Sequence, residues 1–259
     1  MIGVDDNVIK SGIVSVTFRK KGPREVVDIT TRAGLSAIEW GSDIHVRPGD
    51  CALAREVRDM TVSKGLEVSS YGSYYYLGMD KEEFSPYLET ALELGAPNIR
   101  VWAGQTASQD ADSAHWEHTV ADAQKICAQA AKEGLRISVE YHAHSLTDTI
   151  DSALRLLDLV GADNFYSYWQ QPLTVAPENQ LPEMLRLHAS GKMSNIHVYC
   201  QYAGEPQRPL ADGLDAWRSY FHALAEDDTL RYAMIEFVKD GADEMFLADS
   251  ATLLSLLHA

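Results

Sequence analysis

Residues 133–170 read EGLRISVEYHAHSLTDTIDSALRLLDLVGADNFYSYWQ. Glu133-Gly134 ends a helical stretch, with Gly placed where a chain turns left-handed past a helix end. Leu135 to His142 then reads as a strand. Ile137, Val139 and Tyr141 alternate with Ser138, Glu140 and His142, and alternate residues of a strand share a face. Leu146 to Val160 has a helical pattern, and Asn164 to Gln170 reads as another strand. Strand, helix and strand in so short a span form a βαβ unit, which implies a parallel sheet.

Working outward, the unit repeats. Strands are predicted at Gly12 to Phe18, Leu35 to Gly41, Leu66 to Tyr71, Asn98 to Trp102, Leu135 to His142, Asn164 to Gln170, Asn195 to Cys200 and Tyr232 to Val238. Helices are predicted between and after them at Pro23 to Ala33, Asp50 to Lys64, Glu82 to Leu94, Ser113 to Lys132, Leu146 to Val160, Pro177 to Ala189, Leu214 to Glu226 and Asp243 to Leu257. Ala33-Gly34, Lys64-Gly65 and Leu94-Gly95 repeat the helix-end signature. No Pro/Ser-rich linker divides the chain. Strand–helix units spaced about 30 residues apart predict a single α/β domain over residues 1–259. Its fold is a closed (β/α)8 barrel, with the active site at the C-terminal ends of the strands. A doubly wound open sheet is the rival. Its dinucleotide-binding form is weakened by the lack of GxGxxG after the first strand.

Composition narrows the function. The chain is 46% hydrophobic, enough for a large core, and carries a formal charge of −16. Nucleic acid and anionic membranes are bound by clustered Lys and Arg, so neither is an expected partner. No run is apolar and long enough to span a bilayer. Cys51, Cys127 and Cys200 are too scattered for a disulfide framework or a CxxC knuckle. Asp5 and Asp6 stand where a secretory leader would be apolar. A reducing cytoplasm is the expected location.

If the chain is a barrel, the strand ends hold the chemistry. The second strand ends in AIEWGSDIHV, giving Glu39, Asp43 and His45, and in the fourth Arg100 and Trp102 share a face. Glu140, His197 and Glu236 lie in apolar strand sequence of the fifth, seventh and eighth strands. A charge there is costly unless paired or bound to a metal. Any one of the three alone reads as a paired core residue. Three at equivalent positions can converge, and two Glu with one His suit a divalent cation. His142 shares the face of Glu140. Trp102 and Trp169 read equally as core or as rings that stack on a sugar, and Tyr74-Tyr75-Tyr76 reads as a loop packed on the mouth.

IEWGSDIHV, VEYHAHSLTDT, YWQQP, NIHVY, RPLADG and IEFV, each at its expected strand, resemble the xylose-isomerase-like barrel superfamily over nearly the whole chain. The resemblance implies one divalent ion, manganese first, with magnesium, cobalt or zinc as alternatives. It implies Glu140, His197 and Glu236 as ligands, and the two glutamates as an acid/base pair. The sixth strand departs from the pattern: where relatives carry Asp, this chain has Gln170-Gln171. Gln170, through its amide oxygen, is the expected fourth ligand, with Gln171 the alternative. His142 is implied as a catalytic neighbour of the metal, and His45, Trp102 and Arg208 as substrate contacts. A loop salt bridge is an equal reading of Arg208. The expected enzyme is a metal-dependent isomerase or epimerase of a small sugar, keto-sugar or polyol, working through an enediolate. Alternatives are a lyase or dehydratase on the same enolate, including C-glycoside cleavage of an oxidised sugar, and a non-catalytic sugar-binding barrel. Partners would be the small-molecule substrate and a second copy of the chain in a homo-oligomer.

Overall fold

The structure is a computed structural model that describes residues 8–79, 83–225 and 227–258. The chain alternates β1 (Ile9–Val14), α1 (Pro23–Arg32), β2 (Ala37–Gly41), α2 (Cys51–Ser63), β3 (Glu67–Tyr76), α3 (Ser85–Leu94), β4 (Asn98–Trp102) and α4 (Ser113–Lys132). It continues through β5 (Arg136–Val139), α5 (Ile150–Val160), β6 (Phe165–Gln170), α6 (Pro177–Ala189), β7 (Met193–Val198), α7 (Leu214–Leu224), β8 (Arg231–Ile235) and α8 (Asp243–Leu257). Each strand pairs in parallel with the next, and β8 closes on β1 with Met234 opposite Gly12. The molecule is thus the closed (β/α)8 barrel expected. Positions Glu82 and Glu226, the predicted first residue of the third helix and last of the seventh, lie outside the described residues.

The expected alternation holds within the strands. Ile137 and Val139 join the main apolar core together with residues of the flanking helices. Ser138 points inward, where its hydroxyl donates to Asn98 Oδ1 at 2.8 Å and accepts from Ser194 at 2.9 Å. Barrel interiors are usually filled by branched aliphatic side chains. Here the inner apolar cluster is small, comprising Val14, Val16, Tyr168 and Met234. A hydrogen-bonded polar layer takes the remaining interior and supports what lies above it. Helix ends follow the glycine signals: Gly34, Gly65, Gly95 and Gly134 all have φ between 71° and 75°.

Four strands, β1, β5, β7 and β8, stop earlier than predicted, and two of the stops expose a candidate site residue. β5 ends at Val139, opposite Ser167. The Glu140 N–H still donates to Val101 O at 3.0 Å, and the chain then turns through His144 at φ 61°. β8 ends at Ile235, and the next residue but one, Phe237, is left-handed at φ 60°. β1 ends at Val14, and Ser15–Phe18 form a 3-10 turn. Glu140 and Glu236 therefore sit one residue beyond their strands, at the rim of the barrel.

Candidate metal centre

Glu140, His197 and Glu236 meet at the C-terminal mouth, each offering a ligand atom, all within 4.8 Å of one another. His197 stands inside β7 and is fully buried. Its Nδ1 faces Glu236 Oε2 at 3.2 Å and Gln170 Oε1 at 3.2 Å, with Glu140 Oε1 at 4.0 Å. One imidazole nitrogen thus looks into a ring of three oxygens, one of them the Gln170 amide oxygen. Gln171 points elsewhere: its Nε2 donates to Gln180 Oε1 on α6 at 3.1 Å. The two glutamines alternate as neighbours in an extended segment must, and it is Gln170 that faces the centre.

Below this ring lies an ion pair that sequence reading left unassigned. Glu39 on β2 is fully buried. It accepts from Arg100 Nε at 2.8 Å, Ser70 Oγ at 2.7 Å and Tyr168 OH at 2.8 Å. Arg100 Nη1 also bonds Glu140, so one guanidinium spans two carboxylates. The second imidazole nitrogen of His197, Nε2, is buried without a hydrogen-bond partner, and Glu39 Oε1 lies 3.7 Å from it. A close approach makes room for the pair. A Cβ on Gly72 would fall 2.7 Å from Glu39 Oε1 and 2.8 Å from Arg100 Nη2. Two signals were available in sequence: a Glu within AIEWG and an Arg within NIRVW, each flanked on both sides by apolar residues. A buried Arg requires carboxylate partners.

The electrostatics follow from burial and pairing. For Glu39 burial raises the pKa, but Arg100 and then His197 overcome it and hold the carboxyl ionised. Burial raises Glu140, and repulsion from Glu236 adds to this against the opposing pull of Arg100. Burial also works against ionised Glu236, yet the adjacent His197 outweighs it and the net shift is downward. For His197 burial disfavours the cation, while Glu236 and Glu39 on either side lift the pKa to about 10. Three buried carboxylates face one guanidinium, which leaves surplus negative charge. A proton on His197 offsets part of it, and a divalent cation would offset it all. The donor set suits such an ion: two carboxylates, an imidazole nitrogen and an amide oxygen around one point. These residues fit the cation that the resemblance implies.

The other expected site residues divide. His142 lies on the loop after β5, half-buried, with Nδ1 hydrogen-bonded to Ala143 O at 2.7 Å. It lines a hollow of about 270 Å³ with Gln170 and Tyr199. Trp102, half-buried at the end of β4, meets His142 edge-on with centroids 4.7 Å apart. Trp169 is core, packed edge-to-face on Tyr220 at 4.9 Å. His45 is not brought to the centre. It is buried against Trp40, its Nε2 bonded to Lys21 O at 3.1 Å in the loop before α1, and burial lowers its pKa. Arg208 is also apart from it. It is half-buried, bonded to Glu205, with its guanidinium 5.0 Å from the Tyr202 ring centroid, which is the loop salt bridge of the alternative reading. Phe237, unremarked in the sequence, is 45% exposed beside Glu236. Its N–H donates to Thr17 Oγ1 at 3.0 Å. A bulky residue at positive φ is strained, and such strain clusters at functional sites.

Comparison with known proteins places the chain in a family. Residues 27–253 match the xylose isomerase-like TIM barrel family, and the chain belongs to that family. No curated protein sequence matches it. Solved structures share the fold at low identity. The probable 3-DHS dehydratase AsbF of Bacillus anthracis superposes with a TM-score of 0.78 at 19% identity, over 95% of this chain and 99% of that one. A D-allulose 3-epimerase from Methylomonas sp. gives 0.73 at 14%, over 97% and 98%. The 3-keto-D-glucoside 4-epimerase YcjR of E. coli gives 0.72 at 14%, over 97% and 100%. These structural neighbours are epimerases and a dehydratase. Among the described residues no helix is long and apolar enough to cross a membrane.

Proposed function

We propose that the chain is a divalent-metal-dependent isomerase or epimerase of a small sugar, keto-sugar or polyol. The observation that carries this is the convergence of Glu140, His197 and Glu236 within 4.8 Å, with the Gln170 oxygen 3.2 Å from the same imidazole nitrogen. Glu140, Gln170, His197 and Glu236 would hold the cation, for which manganese is our first choice. When bound, such an ion supplies Lewis acidity toward neighbouring substrate oxygens.

The chain's own residues supply the proton chemistry. Glu140 and Glu236 follow β5 and β8, strands on different sides of the mouth, so the two carboxylates can address one substrate carbon from different sides. One takes the proton beside the carbonyl and the other returns it, through an enediolate of the sugar. Arg100 fixes Glu140, and His197 fixes Glu236; held in place, a carboxylate loses little freedom on reaching the reacting carbon. His142 lines the hollow where the sugar would lie, and Trp102 packs against His142. An epimerase and a dehydratase among the fold neighbours are compatible with this first proton abstraction. The second half decides between them: a returned proton gives an epimer or isomer, whereas loss of water or of an aglycone gives a lyase.

The test is turnover of an aldose and ketose panel with manganese in deuterated water, stopped early. Deuterium at the reacting carbon of an isomeric product is expected. Unlabelled product at full conversion would sink the two-carboxylate route, and product lacking water or aglycone would assign the lyase.

A further inference from the structure

The mouth of the barrel carries a second hollow, which the proton chemistry does not use. It is a cleft of about 770 Å³ between the loop after β2 and the start of α3. An aromatic bridge joins it to the smaller hollow beside Gln170. Tyr74 and Tyr76 both line the large cleft. Both rings lie near-parallel to Trp102, with centroids 6.2 and 5.7 Å from it. Trp102 in turn meets the edge of His142, a lining residue of the small hollow. The two hollows are therefore linked by one run of rings.

The chemistry of the cleft suits a ring with an apolar face. Its lining includes Tyr74, Tyr76 and Tyr87 together with Pro48 and Pro86. The polar groups on the Tyr74 side are already in use. Asp43 is ion-paired with Arg19, Arg19 Nη2 donates to Tyr74 OH at 2.8 Å, and Ser42 Oγ accepts from Tyr74 N–H at 3.1 Å. These bonds hold the tyrosine wall in place. Tyr75 takes the opposite role within the run, buried with its hydroxyl on Asp122 at 3.0 Å. Alternation along β3 thus turns Tyr75 into core and leaves Tyr74 and Tyr76 half-buried at the mouth. Contiguous, partly exposed aromatic surface in a concave site marks ligand binding. The cleft lies within the range of about 300–1,000 Å³ typical of small-molecule sites.

We infer that this cleft is a subsite for a second ring with an apolar face attached to the sugar, so that the substrate is a glycoside and not a free monosaccharide. The sugar half occupies the small hollow, and this placement rests on the function proposed above. The ring half lies against Tyr74 and Tyr76, as an aryl group by offset stacking or as a second sugar by its apolar C–H face.

Isothermal calorimetry with p-nitrophenyl β-D-glucoside, cellobiose and methyl β-D-glucoside tests this. At least one of the first two should bind about tenfold tighter than the methyl glycoside, the scale of one good aromatic contact. Tyr76→Ala should cancel that margin, and Tyr76→Phe should keep it. A margin for the nitrophenyl compound assigns an aryl ring, and one for cellobiose assigns a second sugar. Equal affinities, no binding by any of the three, or a margin that survives Tyr76→Ala overturns the inference. The readout needs no turnover. Ring preference without epimerisation sinks only the proposed reaction, and epimerisation of free sugars without ring preference sinks only the subsite.

Discussion

Gln170 is where this centre departs from the set of three carboxylates and one histidine that its resemblance implies. In the proposed site a neutral amide would leave two ligand carboxylates on a divalent ion, so the loaded site would be nearly neutral and the ion a stronger Lewis acid held less tightly. Gln170→Asp should raise Mn2+ affinity about tenfold, equivalent to about 1.4 kcal/mol, and lower kcat. Calorimetric titration and steady-state kinetics read the two effects, and a variant unchanged in both would remove Gln170 from the ligand set. Arg100 bears on stability. Removing it leaves buried Glu39 and Glu140 without their shared partner, at a cost of about 3–5 kcal/mol. Urea unfolding of chelated Arg100→Leu against the parent measures it, and a loss under about 1 kcal/mol would mean that the pair is not structural. At this scale the sequence was partly legible. Glu140, His197 and Glu236 stand out because each puts a charge into an apolar strand. Glu39 and Arg100 do so too, but their meaning depends on pairing across β3, from β2 to β4, which alternation along one strand does not reveal. The directions of His45 and Arg208 were not legible, since both lie on loops where strand periodicity gives no face.

At the scale of elements, strand count, order and closure were legible from repeated βαβ units and helix-end glycines. β4, α4, α6 and α8 begin and end where periodicity put them. The ends of β2, β4 and β6 were legible too, but those of β1, β5, β7 and β8 were not. β5 and β8 stop where pairing to a neighbour stops, a property of two strands and not of one. The register near the centre depends on Gly72, where any side chain would meet the Glu39–Arg100 pair. Gly72→Ala should cost about 1–3 kcal/mol through overpacking, seen as a lower urea midpoint, and should weaken Mn2+ binding. A variant with parental stability would show that the approach is not tight. α8 offers a pH test. Asp249 accepts from Leu210 N–H at 2.8 Å, and burial raises its pKa from 3.8 to about 6, with Leu210 opposing and Asp212 assisting. Between those values the folded state holds a proton that the unfolded state has lost, so this group's contribution to stability falls as pH rises from about 4 to about 6. Asp249→Asn keeps the acceptor and removes the charge. It should be more stable than the parent above pH 6, on the order of 1–2 kcal/mol, and equal to it below pH 4. Thermal melts across that range give the answer, and a variant less stable at pH 7 would contradict it.

At the scale of the whole molecule, the −16 charge sets what can approach. It opposes polyanions such as DNA, so the protein should not be retained on a DNA column at physiological salt; tight, salt-sensitive binding to abasic DNA would overturn that reading. At the proposed centre three carboxylates converge on one guanidinium and one imidazole, a concentration of negative charge that a bound cation would balance. Metal analysis of protein purified without chelator is the direct measurement. About one divalent ion per chain is predicted, with Glu236→Gln losing both the ion and turnover. Full activity after exhaustive chelation, with no ion remaining, would contradict it.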